Sequence, residues 1–247
     1  MKNLVTKLCA AAILVAGATS AQAALYTSAF GTQIATLSDC DDCASGPIAF
    51  SGTSQSINFF GTNYSSLYVG SNGYVTFGTP AINYTTAPLD TQSIAPMIAG
   101  YFSDLDSRND ALSNVYVNTS TAGTIIATWV QMGHFSQDYS GRSTFQLVIR
   151  SDQATIPTGQ GQIGFFYGDM TDGKAGSAGF GDGLAQSNAG EVALASNAGG
   201  NTFTNFSSSF FSLTGGVPEV VDVPEPASLA LMGLGLAGIA LRRRKTV

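Results

Sequence analysis

Apolar and polar positions alternate most cleanly at Phe145, Leu147 and Ile149, with Gln146 and Arg150 on the opposite side. This is the period-two pattern of a strand that covers a core with one face. Short strand-like runs of similar character recur through the middle of the chain: Ile57 to Phe60, Leu67 to Val69, Tyr74 to Phe77, Met97 to Phe102, Asn114 to Val117, Ile125 to Met132, Thr144 to Arg150, Ile163 to Tyr167, Ala178 to Phe180, Val192 to Ala195 and Phe210 to Leu213. Turn signals separate them, among them Ser71-Asn72-Gly73, Gly141, Gly159-Gln160-Gly161 and Thr171-Asp172-Gly173. The glycines from Gly173 to Gly183 read as hairpin turns in the same way. No long helical period interrupts the series. The pattern predicts an all-β ectodomain over residues 24–213, folded as a single antiparallel sandwich-like domain. A Gly/Asn/Ser-rich stretch follows from Ala198, and residues 214–222 read as a flexible stalk.

Both ends depart from this pattern. At the front, Lys2 and Lys7 precede an apolar stretch from Leu8 to Gly17, and Ala21-Gln22-Ala23 supplies small residues around a cleavage point. Residues 1–23 therefore read as a signal peptide, and the mature chain begins at Ala24. Cys9 belongs to the discarded part. At the back, Val223-Pro224-Glu225-Pro226 leads into an apolar run from Ala227 to Leu241 and then Arg242-Arg243-Arg244-Lys245. Prolines interrupt the incoming chain, the apolar run can enter a bilayer as a helix, and the basic cluster resists crossing it. At ~1.5 Å per residue the run spans roughly 22 Å, short of a hydrocarbon core of about 30 Å, as suits a temporary anchor.

This tail, residues 223–247, resembles the PEP-CTERM sorting signal of Gram-negative bacteria: Pro224, Glu225 and Pro226, a transmembrane helix over 227–241, and Arg242, Arg243 and Arg244. The resemblance implies processing by an integral-membrane exosortase, transient residence in the inner membrane, and then display at the cell surface or release among exopolysaccharide. A second resemblance runs through the centre. Ser71-Asn72-Gly73-Tyr74-Val75-Thr76-Phe77, Ile94-Ala95-Pro96 through Asp104-Leu105-Asp106-Ser107-Arg108, Val115-Tyr116-Val117, Thr128-Trp129-Val130, Phe145-Gln146-Leu147-Val148-Ile149, Phe165-Phe166-Tyr167-Gly168-Asp169 and Ala178-Gly179-Phe180 occur in the order of the nidogen-like (NIDO) extracellular module. They place a nidogen-like core at about residues 71–183. The resemblance implies a cell-matrix adhesion module with no catalytic activity.

Removing both ends changes the charge. Only Arg108, Arg142, Arg150 and Lys174 remain against fifteen acidic residues between Ala24 and Val223, a side-chain charge of −11. Such a surface repels nucleic acid and attracts divalent cations. Within it lie Asp39-Cys40-Asp41-Asp42-Cys43. In an oxidising compartment Cys40 and Cys43 read as a structural disulfide, since surrounding carboxylates would raise rather than lower a thiol pKa and no thioredoxin-like βαβ pattern is present.

Three readings compete for Asp104 and Asp106, which leave one face of an extended segment roughly 7 Å apart. With Asp110 and backbone carbonyls they could hold calcium, a hard cation suited to oxygen ligands. They could serve as a carboxylate pair for glycoside hydrolysis. They could be structural, Asp104 capping turn amides while Asp106 pairs with Arg108. His134, the chain's one histidine, reads as a packing or surface residue, and Trp129 with most tyrosines reads as core. Tyr84 and Tyr139, in polar loops, read as exposed. No cofactor is required. The expected function is a non-enzymatic, exported adhesion or structural protein of the surface or matrix; the alternative is a secreted carbohydrate-binding or glycoside-hydrolysing protein.

Overall fold

A computed structural model describes residues 24–186, 191, 193–199, 203 and 208–221. The signal peptide with Ala21 and Ala23, the sorting residues Pro224, Glu225, Pro226, Arg242, Arg243 and Arg244, and the apolar run 227–241 lie outside the described residues.

Two twisted antiparallel sheets face each other. The larger has eight strands, ordered β1 (Thr32–Gln33), β9 (Asn114–Asn118), β10 (Thr124–His134), β11 (Asp138–Arg150), β12 (Ile163–Met170), β15 (Ser209–Thr214) and β16 (Val217–Val220), with β8 (Leu105–Asp106) pairing the far end of β10. The smaller has six, ordered β14 (Ala193–Gly199), β13 (Ala175–Gly181), β7 (Met97–Phe102), β6 (Tyr74–Thr76), β5 (Ser66–Val69) and β2 (Ile48–Ala49). A separate hairpin pairs β3 (Ile57–Phe59) with β4 (Thr62–Tyr64).

The period-two reading of β11 decides how the layers meet. Phe145, Leu147 and Ile149 point inward with Trp129, Phe165 and Tyr167, onto Val69, Val75, Ile98, Tyr101 and Phe180 of the smaller sheet, and all are buried. Two polar atoms cross the apolar interior between the sheets. The Trp129 indole Nε1 donates to Gly70 O at 3.0 Å, and the Tyr167 hydroxyl donates to Gly100 O at 2.8 Å. Each aromatic thereby buries its ring without leaving its donor unpaired.

The Ser71-Asn72-Gly73 turn shows why glycine stands where it does. Gly73 has φ +83°, and a Cβ there would lie 1.9 Å from Tyr101 O. Only glycine lets the turn sit against β7, where Gly73 O accepts the amides of Gly100 and Tyr101 at 3.0 and 3.1 Å.

Two expectations need correction. The segment expected to be a stalk, 214–222, includes β16, which pairs with β15 through Phe211–Val220, Ser212–Glu219 and Leu213–Pro218. Val217 and Val220 are too few to signal a strand, but an antiparallel neighbour supplies the ladder, and Pro218 is tolerated because β16 is an edge. The glycines between Gly173 and Gly183 are likewise not all turn residues. Gly176, Gly179 and Gly181 lie in β13, where a Cβ on Gly176 would meet the Tyr101 ring at 2.2 Å. Here glycine makes room for an aromatic rather than bending the chain.

Candidate functional site

At one end of the sandwich three pieces distant in sequence converge. The Asp39–Cys43 loop is closed by a disulfide between Cys40 and Cys43. It is docked on the Ser71-Asn72-Gly73 turn: Ser71 N donates to Cys43 O at 2.8 Å, and Cys43 N donates to Ser71 Oγ at 2.9 Å. Its other end is held by Ser107, whose amide donates to Cys40 O and whose Oγ accepts the Cys40 amide, both at 3.0 Å. Asn72, buried to 1 % exposure, ties the group together. Its Nδ2 donates to Asp42 Oδ1 at 2.8 Å and to Asn83 O at 3.1 Å, while its Oδ1 accepts the Leu105 amide at 2.8 Å.

The result brings Asp41, Asp42 and Asp104 together, each with a carboxylate oxygen within 4.8 Å of the others. Asp104 sits between β7 and β8. Its side chain accepts no hydrogen bond among the described residues, and its Oδ1 and that of Asp41 are buried without a donor. Burial, then the charges of Asp42, Asp41 and Asp106, pushes the Asp104 carboxyl up to about 6. Asp41 is raised for the same reasons, burial first and then Asp106, with Arg108 acting against them.

The other two aspartates expected beside Asp104 go elsewhere. Asp106, fully buried, receives Arg108 Nε at 3.0 Å and Nη2 at 2.6 Å, the Arg108 amide at 2.9 Å, and the Gln137 amide at 3.1 Å. Burial works to raise its pKa, but the Arg108 side chain and these amides outweigh it, and the carboxyl ends below its ordinary value. Asp110 bonds the Ser113 hydroxyl at 2.6 Å and pairs with Arg142, which holds it down to about 2 against the effect of burial. Asp104, Asp106 and Asp110 therefore do not form one ligand group. An arginine two residues after Asp106 and another across the sheet take two of the three.

The chemistry of the remaining trio is that of hard oxygen ligands at close quarters. Like charges at this spacing are unfavourable unless protonated or bridged, and a calcium-sized cation with carbonyl or water ligands in addition would relieve them. Arg108 reaches the edge of the group through Asp41, 2.8 Å away. The residues that sequence reasoning missed are Asp41 and Asp42 as partners of Asp104, and Ser71 and Asn72 as their supports. The acidic Cys-x-x-Cys loop and the Ser-Asn-Gly turn were visible signals, but nothing in one dimension joins them.

The other candidates have quieter roles. His134 is half-buried, its Nε2 lies 3.2 Å from Ser103 Oγ, and burial lowers its pKa. Trp129, Tyr74, Tyr101 and Tyr167 are buried, while Tyr84 is 52 % exposed. Tyr139 is partly covered, its hydroxyl donating to Arg108 O.

The family described as NIDO related matches residues 18–215, and the PEP-CTERM protein-sorting motif matches residues 222–245. No curated protein and no solved structure matches the chain.

Proposed function

Because the chain belongs to the NIDO-related family and ends in a PEP-CTERM protein-sorting motif, we propose that this exported, exosortase-processed protein serves as a non-enzymatic adhesion or structural component of the cell surface or extracellular matrix, in contact with exopolysaccharide. The observation that carries the reading is the trio Asp41, Asp42 and Asp104, the first two on a disulfide-closed loop, with two buried carboxylate oxygens that have no donor among the described residues. On a domain of side-chain charge −11, a bound divalent cation would stiffen one end of the sandwich and bridge it to neutral or anionic matrix, and many weak contacts of this kind add up when molecules are displayed together. Arg142 is taken up by Asp110, and Arg108, which is bonded to Asp106, touches the trio only at Asp41 and leaves Asp42 and Asp104 without an arginine partner among the described residues.

The test uses the native host. Replacing Pro224-Glu225-Pro226 with alanines is expected to leave an uncut, membrane-bound form, and Asp104→Asn is expected to leave sorting intact while weakening calcium-dependent attachment to isolated matrix. Attachment that is indifferent to both calcium chelation and Asp104→Asn would overturn the adhesive reading while leaving the sorting result standing. Turnover of a glycan, lost in Asp104→Asn, would replace it with the hydrolase alternative.

A further inference from the structure

The outer face of the larger sheet carries a second, smaller apolar patch of Ile126, Val148 and Phe166, with Tyr26 and Phe210 packed over it. The segment just after the expected mature N-terminus crosses this face and is tied down at several points. Gln146, with no exposure, accepts the Thr27 amide at 3.2 Å and donates back to Thr27 O at 2.9 Å. Asn118 Nδ2 donates to Ala29 O at 2.7 Å, joining the segment to the end of β9. Arg150 Nη2 donates to the Tyr26 hydroxyl at 3.0 Å.

Between this segment and the β9–β10 connection lies a pocket of about 230 Å³. Thr124 and Ile126 line it from β10, with Tyr26 and Thr27 on one side and Ser120 and Thr121 on the other. None of its lining residues is charged, although the domain as a whole is strongly acidic. Thr124 is 6 % exposed, and its hydroxyl makes no hydrogen bond among the described residues. It is not one of the sealed, partnerless oxygens, and Thr124 belongs to the pocket lining, so a guest in the pocket can supply its partner.

This combination selects for chemistry. A purely apolar guest would leave the Thr124 hydroxyl unpaired and displace water from a ring of hydroxyls. A carboxylate or phosphate would meet no cation on the lining, because the guanidinium of Arg150 is only 2 % exposed and engaged with Tyr26, Gly161 and Gln160. A neutral ring with hydroxyls on its edge and C–H bonds on its face suits both parts: hydroxyls to Thr124, Thr121 and Ser120, and the C–H face to Ile126 and the Tyr26 ring. The volume, below that of drug-sized sites, admits one such ring.

We propose that this pocket binds a single neutral hexopyranose residue of a glycan, with Thr124 as the residue that specifies a hydroxyl. The site lies on the outer sheet face and shares no residue with the Asp41, Asp42 and Asp104 group, so it stands whether or not that group binds a cation. Affinity is expected in the millimolar range, useful through repetition along a polysaccharide.

The experiment is saturation-transfer NMR on the full chain in a sugar-free zwitterionic detergent, with methyl glycosides of glucose, galactose, mannose and N-acetylglucosamine, and with methyl glucuronoside. At least one neutral glycoside should give a saturable signal. Thr124→Val, which keeps shape and removes the hydroxyl, should weaken it at least fivefold, and Ala29→Trp, which crowds the rim from an exposed position, should abolish it, both at unchanged melting temperature. Thr214→Val, in β15 and off the pocket lining, should change nothing. The proposal fails if no neutral glycoside binds, if glucuronoside binds better than all of them, or if both pocket variants bind like the unaltered chain. If Thr124→Val lowers the melting temperature, Ala29→Trp alone decides.

Discussion

Trp129 Nε1 lies 3.0 Å from Gly70 O, a hydrogen bond that links β10 of one sheet to the turn entering β6 of the other. The same indole stacks on Phe145 with ring centres 4.9 Å apart and planes 13° apart. Shape and donor thus act together at the centre of the sandwich. Trp129→Phe keeps an aromatic but leaves Gly70 O without its partner and opens space beside Phe145. We expect a loss of about 2–3 kcal/mol, a fall in melting temperature of roughly 4–10 °C for a domain of this size. Calorimetry would measure it, and a fall under about 2 °C would show that the crossing bond is dispensable.

Asp104 links the acidic trio to pH. Its folded-state pKa, about 6, is above the ordinary 3.8, so the folded protein holds a proton that the unfolded chain releases between these values. Stability is therefore fully present below about pH 4 with respect to this group and is lost as pH rises through 6. Asp106 and Asp110, held below their ordinary values, act in the opposite sense, and the stability they contribute is lost only under stronger acid. In chelator, the melting temperature should fall between pH 4 and 6.5, by an amount corresponding to about 1–2 kcal/mol after screening of a partly exposed group. Asp104→Asn should flatten this slope and be more stable than the unaltered chain at pH 7. An identical slope in the variant would remove Asp104 as its source.

Calcium should reverse that order. A cation at Asp41, Asp42 and Asp104 displaces the proton and binds only the folded state, so millimolar calcium should raise the melting temperature by several degrees at pH 7 and by less at pH 5. The gain should vanish in Asp104→Asn and persist in Asp110→Asn, because Asp110 is committed to Arg142. Equal melting with calcium and with chelator at pH 7 would exclude the cation.

The strands were legible because each reports itself locally. Met97 to Phe102 is recovered end to end as β7, and Phe145, Leu147 and Ile149 face the core as their alternation requires. What escaped depends on partners. Thr32–Gln33 and Val217–Val220 are too short or too polar to announce strands and exist because β9 and β15 offer them an edge. The candidate site divides in the same way. Asp104 could be singled out, but its neighbours could not, since Asp106 goes to Arg108 by a local turn while Asp41 and Asp42 arrive from more than sixty residues away through Ser71 and Asn72. Spacing along an extended segment measures distance between Cα atoms and is silent on which cation each carboxylate prefers.

The Cys40–Cys43 bridge spans so short a loop that its effect on the unfolded chain is small, roughly 1–2 kcal/mol. Its larger consequence is to fix Asp41 and Asp42 between the two docking points on Ser71 and Ser107. The double replacement Cys40→Ser and Cys43→Ser should lower the melting temperature by about 2–6 °C in chelator, and should also reduce most of the calcium-dependent rise. Loss of the first with full retention of the second would mean that the hydrogen bonds alone hold the loop.

Arg150 poses the sharpest energetic choice. It is 2 % exposed, and no carboxylate among the described residues compensates it: its partners there are Gly161 O, the Gln160 side-chain oxygen at 2.5 Å and the Tyr26 hydroxyl, with its guanidinium 5.6 Å from the Tyr26 ring centre and 5.4 Å from that of Phe210. Burial pulls its pKa below the ordinary value. Replacing a buried charge with an apolar side chain of similar length can stabilise a protein, because several kcal/mol of desolvation are recovered. Against this, Arg150→Met strands Gly161 O at a cost of about 1–3 kcal/mol, leaves Gln160 Oε1 with only the Tyr26 hydroxyl at 3.3 Å, and forfeits two ring contacts of roughly 1 kcal/mol each. The second set is larger, and it is concentrated where the N-terminal segment meets the sheet. We therefore expect Arg150→Met to destabilise by about 2 kcal/mol and, more tellingly, to speed hydrogen exchange at residues 26–30 well before the core strands respond. Arg150→Lys should show the same release with a smaller global loss, since a single ammonium can reach only part of the acceptor set. Faster exchange confined to β10 and β11, with the segment still protected, would show that Gln146 rather than Arg150 clamps the N-terminal segment.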